Sequence, residues 1–364
     1  MRRLLVLCPF PENVAAGQRL KYEQYFDDWR RDGYIIDVAP YMDRAMWDVV
    51  YTRGNMLAKA AGVVRGHFRR LWALRRIRRY DLVYAFMWVT PLGTTLFERL
   101  TAAMARRLIF DVEDNVILDT LSGNHGRVNP ITRFLRGTAK SRHLIRTADH
   151  VVTSSPALND LCLAINEKRA CTYISSSVDT DRFVPVEHPG EGPVTIGWTG
   201  TFSTRIYLDL LRSVFQTLAK TRDFKLRVIG NFDYALPGVD LEVIRWTVER
   251  EVADLQGIDI GVYPLPVDEW VTGKSGLKAI QYMAFGIPTV ATNVGTTPLI
   301  IRDGENGLLV RTEGEWLEAL TKLIDDPGLR RRLGEQARRD AVAKYSTKAI
   351  AAEYRQVLAS VMGR

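Results

Sequence analysis

A chain of 364 residues with 46% hydrophobic and 25% charged residues is too long for one ordinary core and too apolar for disorder, which predicts two globular domains. No run approaches the ~20 apolar residues of a spanning helix. Cys8, Cys162 and Cys171 lack metal-ligand spacing, which predicts a reduced, cytoplasmic protein without a structural metal. The net charge of +8 is uneven, with 28 basic and 19 acidic side chains in residues 1–185 against 22 and 23 in residues 186–364.

The apolar run Leu4–Cys8 stops at Pro9, which predicts a buried first strand rather than a signal peptide. Further runs follow at Ile35–Ala39, Leu82–Phe86, Arg107–Phe110, His150–Thr153 and Thr172–Ile174. Helical patterns lie between them at Gln18–Arg31, Arg65–Arg79, Leu92–Ala105 and Asn129–Thr147. This alternation predicts a parallel sheet with helices on both faces. Residues 65–80 hold seven arginines, and Phe68, Leu71, Trp72, Leu74 and Ile77 fall close to one helical stripe. A basic amphipathic helix bearing Trp suits an anionic membrane surface, so peripheral contact at the inner face of the plasma membrane is expected through residues 65–80. No base-reading motif accompanies the patch, and nucleic acid is not expected.

Two loops of this half follow strands. Pro9–Leu20 carries Gly17, Gln18 and Arg19; the glycine permits close backbone approach and the arginine can meet an anion. Asp111–Asn115 puts Glu113 and Asp114 at a strand end, where carboxylates suit sugar hydroxyls. The Pro- and Gly-rich stretch Pro185–Pro193 reads as a linker. The expected division is 1–185, 186–346, and a last helical segment 347–364. Strands are expected in the second half at Val194–Trp198, Lys225–Ile229, Val243–Trp246, Ile258–Tyr263, Thr289–Thr292 and Gly307–Val310.

Gly273–Thr292 is the most informative stretch: a small-residue loop with Lys274 and Lys278, a short helix, a Gly286-Ile287-Pro288 break and a strand. A loop opening a helix presents unpaired amides and a positive dipole end, which suits a diphosphate. A P-loop would need glycine at position 268, where Asp268 stands. The stretch resembles the sugar-nucleotide segment of the retaining GT-B glycosyltransferases of family 4. That family's paired glutamates correspond to Gly273 and Gln281 here, so the chain resembles a sub-branch lacking both. Thr195–Leu208 resembles the family's phosphate-facing loop, and Val294–Pro298 with Asp303–Val310 its next strand and turn. Asp326-Pro327, Leu333-Gly334 and Tyr345-Ser346 resemble its terminal helices.

The resemblance implies an α/β fold of two Rossmann-like domains facing across a cleft, with the last helix returning to the first domain. It implies transfer of a hexose-type unit from a nucleoside-diphosphate sugar to a glycan or lipid-linked acceptor in envelope polysaccharide assembly. Retention is implied, without metal or other cofactor. Lys274, Lys278 and Arg205 are the expected stabilisers of leaving-group charge, with Glu113 and Asp114 standing where the family often has a histidine near the donor sugar. Gly200, Thr201, Ser203, Thr204, Gly276, Leu277, Gln281, Gly295, Thr296 and Thr297 are the expected donor contacts, and Tyr263 belongs to the expected base-binding strand end. Gly17, Gln18 and Arg19 resemble the loop where donor and acceptor meet. Ile174–Phe183 resembles the hinge segment. Two other classes stay open: a sugar-nucleotide hydrolase or epimerase on the same fold, and a catalytically reduced GT-B partner of another transferase.

Overall fold

β1 (Arg2–Cys8), β2 (Tyr34–Pro40), β3 (Leu82–Phe86), β4 (Leu108–Val112), β5 (His150–Thr153) and β6 (Cys171–Tyr173) form one parallel sheet in the order β2-β1-β3-β4-β5-β6. The computed structural model describes residues 1–50, 52, 54–91, 94–114, 138–186 and 192–363. Asn115, the start of the Leu92–Ala105 and Asn129–Thr147 patterns and the middle of the expected linker lie outside these. The sheet belongs to a compact unit of Met1–Ser175, Thr272–Ser275 and Ile350–Arg364; Ser176–Val271 with Gly276–Ala349 form a second.

In the first unit, β1 pairs with β2 and β3, Leu4 lying opposite Ile36 and Leu82. Strand order reverses between β1 and β3, so the loop after β1 opens at the switch point where such sheets take ligands. One face of the sheet is covered by the Thr347–Met362 helix. Its Ile350, Tyr354, Val357, Leu358 and Val361 share a core with Leu4, Val6, Tyr22, Tyr25, Trp29 and Tyr84. The Tyr354 ring lies 4.8 Å from Tyr25 and 5.9 Å from Trp29.

The Gln18–Arg31 pattern is broken into Ala16–Arg19, a 3-10 turn at Glu23–Tyr25, and Phe26–Arg31. Residues 18–23 are all buried, which no single face of one helix allows.

The arginine-rich helix runs Met56–Arg76, with a 3-10 turn at Ile77–Arg79. The expected single stripe is two faces. Leu74 and Ile77 are buried, while Phe68, Leu71 and Trp72 are 66%, 47% and 59% exposed. The inward face is set by Gly62 and Gly66, where a Cβ would lie 2.7 Å from Met46 Cγ and 2.5 Å from the Tyr41 ring. Arg70, 1% exposed, sits on that inward face. Its guanidinium donates to the carbonyls of Cys8 (2.6 Å), Val89 (2.6 Å) and Ala39, gathering the ends of β1 and β2.

The second unit holds β7 (Val194–Gly200), β8 (Phe224–Gly230), β9 (Asp240–Arg245), β10 (Ile260–Tyr263), β11 (Thr289–Thr292) and β12 (Gly307–Val310). All are parallel, in the order β12-β11-β10-β7-β8-β9, and order reverses between β10 and β7. Trp316, Leu320, Leu323, Leu329 and Leu333 pack on this sheet's core. The Gly-Ile-Pro break ends the Leu277–Ala284 helix. Gly286 takes φ +68°, and the Gly286 and Ile287 amides bond back to Met283 and Tyr282 carbonyls at 3.0 Å, the paired closure of a left-handed helix stop.

Candidate functional site

In the second unit, three segments meet at the carboxyl end of β7. The turn Thr201–Thr204 is locked by its own hydroxyls: Thr201 N donates to Thr204 Oγ1 (3.0 Å), and Thr201 and Ser203 hydroxyls lie 2.9 Å apart. Gly200 keeps this turn close to the strand, since a Cβ would fall 2.3 Å from Trp198 Cη2. The Leu277–Ala284 helix is pinned beside it, because Tyr282 Oη accepts from Thr199 N at 3.0 Å. One turn earlier on the same helix face, Lys278 Nζ lies 4.5 Å from the Trp198 ring centroid and 3.5 Å from Thr204 Oγ1. The third segment is Gly295–Ile300. Gly276, at φ +73° and N-capping the helix, would place a Cβ 2.2 Å from Ile300 Cδ1 and 3.3 Å from Thr296 Oγ1. A cation, helix amides and hydroxyls therefore share one end of this unit.

Other expected donor contacts are placed differently. Thr297 is fully buried and its hydroxyl serves the loop, accepting from Val294 N at 3.0 Å and donating to Val294 O at 2.7 Å. Gln281 is buried, as is Tyr263 at the end of β10; Leu277 is half-buried, and Gly295 has φ +59°. Arg205 lies over the exposed Phe202 ring at 5.5 Å and 3.9 Å from Asp209. It borders a cavity of about 620 Å³ shared with Arg212, Asp233 and Tyr234.

Lys274 belongs to the first unit. Its Nζ pairs with Asp114 at 2.8 Å, Ser275 Oγ donates to Glu113 Oε1 at 3.3 Å, and Ser154 Oγ donates to Gly273 O at 2.9 Å. Gly17 belongs to the same cluster, its Cβ position lying 3.4 Å from Glu113 Oε2. Behind it, buried Lys21 lies 3.8 Å from Asp111, which also accepts from Tyr84 Oη. Gln18 is spent on shaping the loop: its amide donates to Phe10 O (3.0 Å) and Glu23 Oε1 (2.6 Å), and Arg19 is buried beside it. Sequence reasoning missed Lys21 and Trp198. Lys21 carries no spacing signal, but Trp198 and Gly200 lie two apart on one strand face, a ring followed by the space it needs.

The glycosyl transferases group 1 family model matches residues 193–326, the span carrying the β7 turn, Lys278 and the helix start. That segment matches the glycosyl transferases group 1 family. The lipopolysaccharide core biosynthesis glycosyltransferase LpsE of Rhizobium meliloti is 28% identical over 242 residues, 59% of this chain and 65% of that protein. A D-inositol 3-phosphate glycosyltransferase of Corynebacterium aurimucosum is 37% identical over 172 residues, 42% of this chain and 39% of its own length. The chain thus spans less than two thirds of these relatives. Among solved structures, sucrose-phosphate synthase from Thermosynechococcus elongatus superposes with TM-score 0.72 at 18% identity, covering 99% of this chain and 100% of that one. Anabaena HepE in complex with UDP and glucose gives 0.68 at 13%, covering 99% and 100%. The fold is GT-B, two parallel six-stranded sheets with helices.

Beyond the matched group 1 segment, the Glu113 cluster has a titration of its own. Burial raises this carboxyl from 4.5 to about 7, with Lys21 opposing and Asp114 and Asp111 adding to the rise. The folded value exceeds the unfolded one, so the folded chain binds more protons between pH 4.5 and about 7 and its stability falls as pH rises through that window. Glu113→Gln is expected to flatten this slope. Melting temperatures of both proteins across the window check it; parallel slopes would assign the dependence elsewhere.

Proposed function

We propose that this chain is a retaining glycosyltransferase that moves a hexose-type unit from a nucleoside-diphosphate sugar to an acceptor, without a metal. The observation that carries the reading is Lys278 held over Trp198 beside the amino end of the Leu277–Ala284 helix and the hydroxyl turn 201–204. When the bond from the anomeric carbon to the diphosphate breaks, the phosphate oxygen keeps the electron pair. Fixed donors aimed at that charge lower the barrier. The acceptor oxygen bonds to the anomeric carbon, and its proton passes to the departing phosphate oxygen or to solvent. HepE's complexes with UDP and glucose and the group 1 segment support the donor class; retention rests on the family resemblance alone.

Thermal-shift binding against UDP-, GDP-, ADP- and CDP-sugars, without added metal, tests this directly. Binding to the folded state raises the melting temperature with occupancy, and a rise with one nucleotide series is expected. No rise with any of the four would leave the turn an ordinary surface and the protein without a donor site.

The acceptor proposed is a glycan or lipid-linked glycan of the cell envelope, in keeping with the role of LpsE in lipopolysaccharide core biosynthesis. No helix among the described residues is long and apolar enough to cross a membrane. Peripheral contact is proposed through the outward face of the Met56–Arg76 helix, where Val64, Phe68, Leu71 and Trp72 are exposed. Arg65 and Arg69 are tied to Asp43 at 3.0 and 2.9 Å, which leaves Arg75, Arg78 and Arg79 as the exposed basic rim. The chain is expected to sediment with phosphatidylglycerol vesicles and less with phosphatidylcholine ones. Phe68→Ser/Trp72→Ser should abolish this, and undiminished sedimentation of that variant would reject the surface.

A further inference from the structure

We infer that Trp198 is a positioning residue for Lys278, holding its ammonium ready for the diphosphate; the inference rests on the donor site proposed above. The Nζ lies 4.5 Å from the ring centroid, inside the ~6 Å over which an ammonium is attracted to an aromatic face. The platform is rigid. Trp198 is fully buried on β7, and Phe232 meets it edge-on at 5.9 Å. Gly200 gives the ring its space, since a Cβ there would overlap both Trp198 Cη2 (2.3 Å) and Thr204 Oγ1 (2.7 Å). The indole Nε1 has no hydrogen-bond partner among the described residues, so hydrogen bonding does not account for a tryptophan at this position. What it presents to Lys278 is its face.

The helix contributes the second half of the device. Tyr282 ties the helix to Thr199 at 3.0 Å, next to Trp198 in the strand. Lys278, four residues earlier, therefore emerges above the indole. A lysine stem is flexible, and ordering it on ligand binding opposes affinity. The ring and Thr204 Oγ1, 3.5 Å from Nζ, order it beforehand.

Calorimetric titration of the full chain with UDP, GDP, ADP and CDP selects the tightest-binding nucleotide. That nucleotide is then titrated into Lys278→Ala, Trp198→Leu, Trp198→Phe and the Lys278→Ala/Trp198→Leu double variant. Trp198→Leu is expected to weaken binding about tenfold, whereas Trp198→Phe, which keeps an aromatic face, stays within about threefold. The double variant is expected to bind no more weakly than Lys278→Ala, because the ring acts through the lysine. Additive losses, or parental affinity in Trp198→Leu, would overturn the inference while leaving the donor site standing. If Trp198→Leu does not fold, Trp198→Met is read in its place. Absence of binding by all four nucleotides, or parental affinity in Lys278→Ala, removes the donor reading itself and this inference with it.

Discussion

Lys278→Ala is expected to lower kcat/KM for glycosyl transfer by about 10²–10³-fold while the melting temperature stays near that of the parent. Removing one fixed donor from a site of developing negative charge typically costs ~3–4 kcal/mol at the transition state. The asymmetry between activity and stability follows from the packing. Lys278 is half-buried, and the partly buried Thr204 hydroxyl 3.5 Å from its ammonium keeps its bonds to Thr201 N and O when the lysine is removed. The attraction to Trp198 is worth ~0.5–2 kcal/mol, the scale expected for the stability change. Lys278→Arg keeps the charge but replaces a point ammonium by a planar fork, and only partial recovery is expected. Steady-state kinetics with the donor identified by thermal shift, beside melting curves, decides the matter; activity within threefold of the parent would remove Lys278 from the chemistry.

Arg70→Leu should produce the largest loss of stability of any arginine-to-leucine substitution on the arginine-rich helix. The guanidinium is fully enclosed and donates to three backbone carbonyls, those of Cys8, Ala39 and Val89. Burial draws its pKa down to about 10, so it remains a cation at neutral pH. Leucine fills much of the volume but removes all three of these bonds; Cys8 O keeps only its bond from Tyr41 N, and each carbonyl left unsatisfied costs ~1–3 kcal/mol. An overall loss on the order of 3–5 kcal/mol follows. Arg75→Leu, on the exposed side of the same helix, should change stability by less than ~0.5 kcal/mol. Urea midpoints of the two variants test the contrast, and coincident midpoints would mean that Arg70 is not the clamp its contacts imply.

Much of the architecture could be read from the chain because parallel strands buried on both faces appear as short apolar runs. All twelve expected strands are present, and Leu82–Phe86, His150–Thr153, Thr289–Thr292 and Gly307–Val310 have the expected bounds. The helix faces were harder. In Met56–Arg76 the inward side is marked by two glycines and an arginine, none of which an apolar stripe reveals. The two lysines of the Gly273–Thr292 stretch were harder still. Four residues apart, they read as neighbours, yet Gly276 takes a left-handed conformation between them. Lys274 goes to Asp114 in the first unit and Lys278 to Trp198 in the second. Periodicity carries no information about such a reversal.

The first unit is assembled from three stretches of chain, and the last of them is made only after the entire second unit. Until Ile350–Val361 emerges from the ribosome, Tyr22, Tyr25, Trp29 and Tyr84 lack the partner that covers them. The order of synthesis is therefore not the order of completion. The unit that begins first finishes last, and through translation it presents an aromatic surface of the kind that chaperones bind and that associates with other nascent chains.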